Sequence, residues 1–127
     1  MKIILFSRKG IALRAEDIEK IFSAIENYGF DYAINREFAE SVALLTSRTI
    51  AAEHIYDESV GSQPDDAVMV CYGGDGTLLE GVHRLDGADI PVLYICCSVF
   101  ISFLVFNTCK AFWKMADSVW EQLFVWI

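Results

Sequence analysis

The chain is 127 residues long, enough for one domain with a modest core and too short for two of ordinary size. A formal net charge of −8 excludes the clustered Lys and Arg by which a phosphate backbone is gripped, so no nucleic-acid partner is expected and any anionic ligand must be held locally. That charge sits in residues 1–93, with 8 basic and 16 acidic side chains, whereas Lys110, Lys114, Asp117 and Glu121 cancel in residues 94–127.

Ile3-Ile4-Leu5-Phe6 is a short apolar run ending at Ser7-Arg8-Lys9-Gly10, the pattern of a strand buried on both faces that feeds a polar loop. From Glu16 to Tyr28 the residues Ile18, Ile21, Phe22, Ile25 and Tyr28 recur at helical spacing with charged residues opposite, and Gly29 closes the helix. Phe30 to Ile34 reads as a second strand and Arg36 to Leu45 as a second, weaker helix, while residues 46–62 give no clear pattern. After the turn signal Gln63-Pro64-Asp65-Asp66, Ala67 to Tyr72 is the best-defined strand of the sequence. It runs into Gly73-Gly74-Asp75-Gly76-Thr77 and then a helix with Leu78, Val82 and Leu85 on one face, ending near Asp86-Gly87, before Ile90 to Leu93 starts a further strand. Strands alternating with helices predict an α/β fold with a parallel sheet.

A strand that ends in glycines and opens a helix gathers free backbone N–H groups and the positive end of the helix dipole at one spot, where phosphate binds. Gly73, Gly74 and Gly76 permit positive φ and close approach of a polyphosphate. Asp75 among such donors is expected to stay ionised, ready to accept a proton from a hydroxyl or to help hold a metal ion. The plainer reading carries similar weight: Asp75 caps the helix and the glycines make a tight turn. Neither the Walker pattern nor the GxGxxG fingerprint is present. Arg8 and Lys9 follow the first strand at the carboxyl edge of the sheet and are within reach of a phosphate there, although a solvated loop is the commoner outcome. His54 and His83 lack partners at ligand spacing, and Cys71, Cys96, Cys97 and Cys109 form no CxxC. With a first apolar run of only four residues there is no signal-peptide pattern, so a cytoplasmic protein with reduced thiols is expected.

The run Asp66-Ala-Val-Met-Val-Cys-Tyr-Gly-Gly-Asp-Gly-Thr-Leu-Leu-Glu80, followed by Ile90-Pro-Val-Leu93, resembles the strand, GGDGT turn, helix and next strand of the NAD kinase family; Met1 to Phe6 and the helix from Glu16 also fit. The same turn occurs in diacylglycerol kinases and phosphofructokinases, but Leu78-Leu79-Glu80 after Thr77 is more like NAD kinases. The resemblance implies a Rossmann-like parallel sheet with flanking helices, and transfer of the terminal phosphoryl group of ATP, with a divalent metal ion such as Mg2+, to the adenosine ribose 2′-hydroxyl of NAD, giving NADP. It implies Asp75 as proton acceptor, Gly73, Gly74 and Gly76 beside the phosphates and ribose, Thr77 supporting the turn, and Glu80 reaching the nucleotide. NAD and ATP would be the partners, and a homo-oligomer is left open.

The family pattern ends near Leu93: Tyr94-Ile95-Cys96-Cys97-Ser98 stands where the family has a second glycine-rich segment, and the family's carboxy-terminal β-rich domain is expected to be lacking. Residues 1–93 are therefore expected to form the nucleotide-binding domain, and residues 94–127 an apolar tail that departs from the family. That tail has 24 apolar residues of 34 and admits three readings: a packed strand and helix, the product of a lost reading frame, or a membrane anchor over Ile90 to Cys109, the last disfavoured by Pro91 and by the flanking Lys110 and Lys114. The chain alone is expected to be an incomplete, inactive fragment; the alternatives are a non-catalytic nucleotide- or protein-binding module and a lipid kinase fragment of diacylglycerol type.

Overall fold

The computed structural model describes residues 1–8 and 13–95, with Asp75, Tyr94 and Ile95 described by their backbone alone. Lys9 and the whole of 96–127, including the tail readings beyond Ile95, lie outside the described residues. In chain order the elements are β1 (Lys2–Phe6), α1 (Ala15–Tyr28), β2 (Asp31–Asn35), α2 (Arg36–Leu45), a 3-10 turn (Ala52–His54), β3 (Ile55–Tyr56), β4 (Ala67–Tyr72), α3 (Asp75–Arg84) and β5 (Val92–Ile95). Every strand and helix expected in residues 1–93 is present, with α3 starting at Asp75, inside the glycine-rich turn rather than after Thr77. Residues 46–62 gave no sequence pattern because they hold only the short 3-10 turn and a two-residue strand, too brief to carry a periodicity.

The five strands form one sheet in the order β3-β2-β1-β4-β5, parallel at every pairing, an α/β arrangement of Rossmann-like type. β1 lies at its centre, with Lys2 to Phe6 in register with Ala67 to Cys71 on one side and Lys2 to Leu5 with Asp31 to Ile34 on the other. Side chains alternate across the pleat, which divides the core in two. Ile3 and Leu5 of β1 join Val68, Val70 and Tyr72 of β4 beneath α1 and α2, which contribute Ile18, Ile21, Phe22, Phe38 and Val42. Ile4 and Phe6 join Met69 and Cys71 on the opposite face, under Leu78 and Leu85 of the α3 segment. Burial on both faces explains why β4 is apolar without alternation. The Cys71 thiol sits in this second core, and burial pushes its pKa up to about 12, as for a packing residue without thiol chemistry.

α1 ends at Gly29, whose φ of 66° is the left-handed C-cap expected of a glycine there. α3 approaches the sheet closely at Gly81: a Cβ there would stand 2.5 Å from Cys71 Sγ and 3.1 Å from Phe6 Cδ1. This contact fixes the height of α3 over β1 and β4, and with it the position of the turn that precedes the helix.

β5 continues to Ile95, so Val92–Ile95 of the apolar Ile90 to Cys109 stretch belongs to the sheet. Among the described residues no helix is long and apolar enough to cross a membrane.

Ile4 is fully buried at the sheet centre and Leu44 is 86% exposed on α2. Ile4→Ala is expected to lower unfolding stability by about 2–5 kcal/mol, and Leu44→Ala to change it by less than about 0.5 kcal/mol, in urea titrations followed by circular dichroism.

Candidate functional site

In a parallel sheet whose strand order reverses, the chain leaves β1 toward one face and β4 toward the other, opening a crevice at the carboxyl ends of the two strands. Here β1 connects through α1 to β2, and β4 through α3 to β5 in the opposite direction, so the reversal falls between β1 and β4. Ser7 and Arg8 follow β1, and Gly73 and Gly74 follow β4. The sequence-predicted glycine-rich turn therefore lies at the one edge where this topology leaves room for a ligand.

The three glycines do different things. Gly73 has φ 152°, and a Cβ on it would stand 2.5 Å from Thr77 Oγ1, so no other residue fits. Gly74 is the N-cap of α3, with φ −95° and no atom near the position of a Cβ. Gly76 lies inside the helix, and a Cβ there would meet the guanidinium of Arg8, with Nη1 2.9 Å away. Of the three, only Gly73 uses the positive φ that glycine permits, whereas Gly76 leaves space for Arg8. Asp75 is the first helical residue rather than the cap, since Gly74 fills the N-cap position without a side chain to offer.

Thr77 closes the turn through its backbone, donating its N–H to the Gly74 carbonyl at 3.0 Å; Leu78 N–H reaches the same oxygen at 3.2 Å. Its hydroxyl is fully buried against Gly73 and has no hydrogen-bond partner among the described residues. Ser7, equally buried after β1, also has an unpartnered hydroxyl, while its backbone is locked to β2: its N–H donates to Asn35 Oδ1 at 3.0 Å and its carbonyl accepts from Asn35 Nδ2 at 2.7 Å. This side-chain bridge extends the β1–β2 ladder past the end of the strand.

Glu80, one turn into α3, is half-buried and lines a cleft of about 250 Å³ together with Phe6, Arg8, Asn35, Glu37 and Arg84. Arg84 is already committed: it hydrogen-bonds the Asp57 carbonyl, pairs with Glu80 at 3.5 Å and lies over the Phe6 ring. Arg8 makes no ion pair with any described side chain and rests on the first turn of α3. The structure thus brings Arg8, Gly76 and Glu80 together around one opening. Asn35, Glu37 and Arg84, which sequence reasoning missed, complete it; the available signal was the position of Asn35 and Glu37 at the junction of β2 and α2.

Behind the turn, Tyr72 is 1% exposed, and its hydroxyl donates to Asp17 Oδ2 at 2.5 Å, tying the end of β4 to the first turn of α1. Arg14 forks onto the same carboxylate, with Nε at 2.9 Å and Nη2 at 3.1 Å. Burial works against ionisation of Asp17, but hydrogen bonds from Arg14 and Tyr72 and the charges of Arg14 and Lys20 outweigh it, holding its pKa below the usual carboxylate value. Burial, followed by the Asp17 hydrogen bond, pushes the Tyr72 phenol up, so it remains a donor.

The sequence is similar to the NAD kinases of two strains of Bacteroides fragilis, NCTC 9343 and YCH46, with 26% identity to each over 95 residues, covering 75% of this chain and 32% of each relative. The aligned part is thus about a third of the length of these curated relatives. No protein-family profile matches the chain.

Gly73→Ala is expected to disrupt the turn and lower stability by at least about 1 kcal/mol, from strain and from collision with Thr77, whereas Gly74→Ala should stay within about 0.5 kcal/mol; paired thermal melts compare them. The contribution of Asp17 is a separate matter. Because its folded pKa lies below the unfolded value, that contribution is present above about pH 4 and is lost as pH falls through the folded pKa. Asp17→Asn should therefore be less stable than the parent near neutrality, with the difference shrinking in denaturant titrations taken to acid pH.

Proposed function

We propose that this chain carries the nucleotide-binding part of a NAD kinase-type phosphotransferase, one that moves the terminal phosphoryl group of ATP to the 2′-hydroxyl of the adenosine ribose of NAD. The observation that carries this reading is the coincidence of a GGDGT turn with the strand-order reversal, where an open parallel sheet receives its ligand. The similarity to Bacteroides fragilis NAD kinases supports the acceptor over a lipid hydroxyl.

Phosphoryl transfer needs little covalent help from the protein and depends on positioning and charge stabilisation. In this reading Gly73 lets the phosphates approach the backbone and the N–H groups of the first turn of α3 hold them. Asp75, at the first position of that helix, accepts the proton of the attacking hydroxyl. Glu80 borders the ribose. The reaction implies Mg2+, which keeps most of its waters and binds through one or two carboxylates and the substrate phosphates. Glu37, a carboxylate lining the cleft, fits that sparse demand and would hold the ion, whose charge would offset that of the phosphates.

The break in the family pattern after Leu93 favours a second reading, a module that binds nucleotide without turnover. Both are tested by calorimetric titration of the chain with ATP and with NAD, alongside an assay for NADP. Binding with NADP formation, reduced on the order of 10²–10⁴-fold in Asp75→Asn, is the expected result for the kinase. Binding without NADP formation assigns the module, and turnover unchanged in Asp75→Asn removes Asp75 from the chemistry. Failure to bind either nucleotide overturns both readings.

A further inference from the structure

The guanidinium of Arg8 occupies an unusual place. A cation beside a helix N-terminus faces the positive end of the dipole, an arrangement that is unfavourable by itself and becomes favourable when an anion is shared between them. Arg8 reaches that place because residue 76 has no side chain, and Nη1, Cζ and Nη2 all lie within 3.2 Å of where a Cβ would be. The planar face of the group is thus laid on the first turn of α3, with the 250 Å³ cleft beside it.

A second, independent observation marks the same turn as built for a ligand. The Thr77 hydroxyl is fully buried, directed at Gly73 and without a partner among the described residues, and leaving a buried hydroxyl unpaired is costly. Arg84, the other guanidinium of the cleft, is held by Glu80, the Asp57 carbonyl and the Phe6 ring. It acts as a wall; Arg8 is exposed, and its guanidinium, which lies against Gly76 and pairs with no described side chain, has room to turn onto an incoming phosphate.

We propose that Arg8 is a polyphosphate-binding residue of this site, gripping a di- or triphosphate chain between its guanidinium and the N-terminal turn of α3, with Thr77 Oγ1 as a further contact. The proposal rests on the reading of the turn as a nucleotide site. Two sources share this chemistry, the triphosphate of ATP and the pyrophosphate of NAD, and the planar fork of an arginine suits either.

The test uses the full chain and inorganic tripolyphosphate, followed by calorimetry, with ATP and NAD as parallel ligands. The parent is expected to bind tripolyphosphate, Arg8→Ala to bind it at least about tenfold more weakly, and Arg8→Lys to fall between, because an ammonium keeps the charge and loses the fork. A parallel loss for ATP alone identifies the donor as the source, and a loss for NAD alone identifies the acceptor. Gly76→Ala, which pushes the guanidinium away, should weaken tripolyphosphate binding in the parent and have a smaller effect in Arg8→Ala. Equal affinity of parent and Arg8→Ala, with matching circular dichroism spectra, overturns the proposal, as does absence of tripolyphosphate binding by the parent. Nucleotide binding that is indifferent to Arg8 defeats this inference alone; Arg8-dependent tripolyphosphate binding without binding of ATP or NAD defeats the nucleotide reading alone.

Discussion

The requirement that a parallel sheet be covered on both faces governs the rest of this molecule. Each strand pairing here is parallel, so each connection must cross over, and right-handed crossovers that move away from β1 in opposite directions deposit their helices on opposite faces. α1 and α2 cover one face and α3 the other, and the two cores share no residue. The crevice between the ends of β1 and β4 is a geometric consequence of that division. Nothing about the turn need be invoked to place it, and the turn acquires meaning because it falls there.

Two further constraints hold the edge in place. On one side of β1, Asn35 stands in for backbone and prolongs the pairing with Ser7 after the regular ladder has ended. On the other, the Tyr72 hydroxyl and Arg14 converge on Asp17, so that the end of β4 is anchored to α1 across the sheet surface. Gly81 sets the third distance by letting α3 settle against Cys71 and Phe6. A glycine inside a helix is unfavourable by propensity alone, about 1 kcal/mol relative to alanine, and here that cost accompanies a close helix–sheet contact.

The elements were legible in the sequence because their periods were unambiguous: Ala67 to Tyr72 has no polar interruption, and Ile18, Ile21, Phe22 and Ile25 lie on one helical face. The site was legible only in part. The Gly-Gly-Asp-Gly-Thr run announced itself through composition, but the separate roles of its glycines depend on φ at Gly73 and on the neighbour of Gly76, and no sequence pattern contains either. Asn35 and Glu37 come from β2 and α2 and meet Arg8 and Glu80 only through the sheet order, whereas Arg84 lies one turn beyond Glu80 on α3. β3 escaped notice for another reason: two residues cannot display a period of two.

The three α-helices among the described residues start at the carboxyl edge of the sheet, and none of them receives a hydrogen bond from an N-cap side chain. Arg14 and Asn35 occupy two of the caps, and their side chains are committed elsewhere, to Asp17 and to Ser7 with Glu37. Free N–H groups and positive dipole ends therefore accumulate along a single edge. At α1 and α2 the charge is answered from within the first turn, by Glu16 and Asp17 and by Glu37. At α3 the first helical residue is Asp75, and an arginine is set against the same turn as well, over a residue with no side chain. In a chain of net charge −8, positive potential at this edge has to be assembled from backbone dipoles and a few guanidinium groups, and the first turn of α3 is where the two meet.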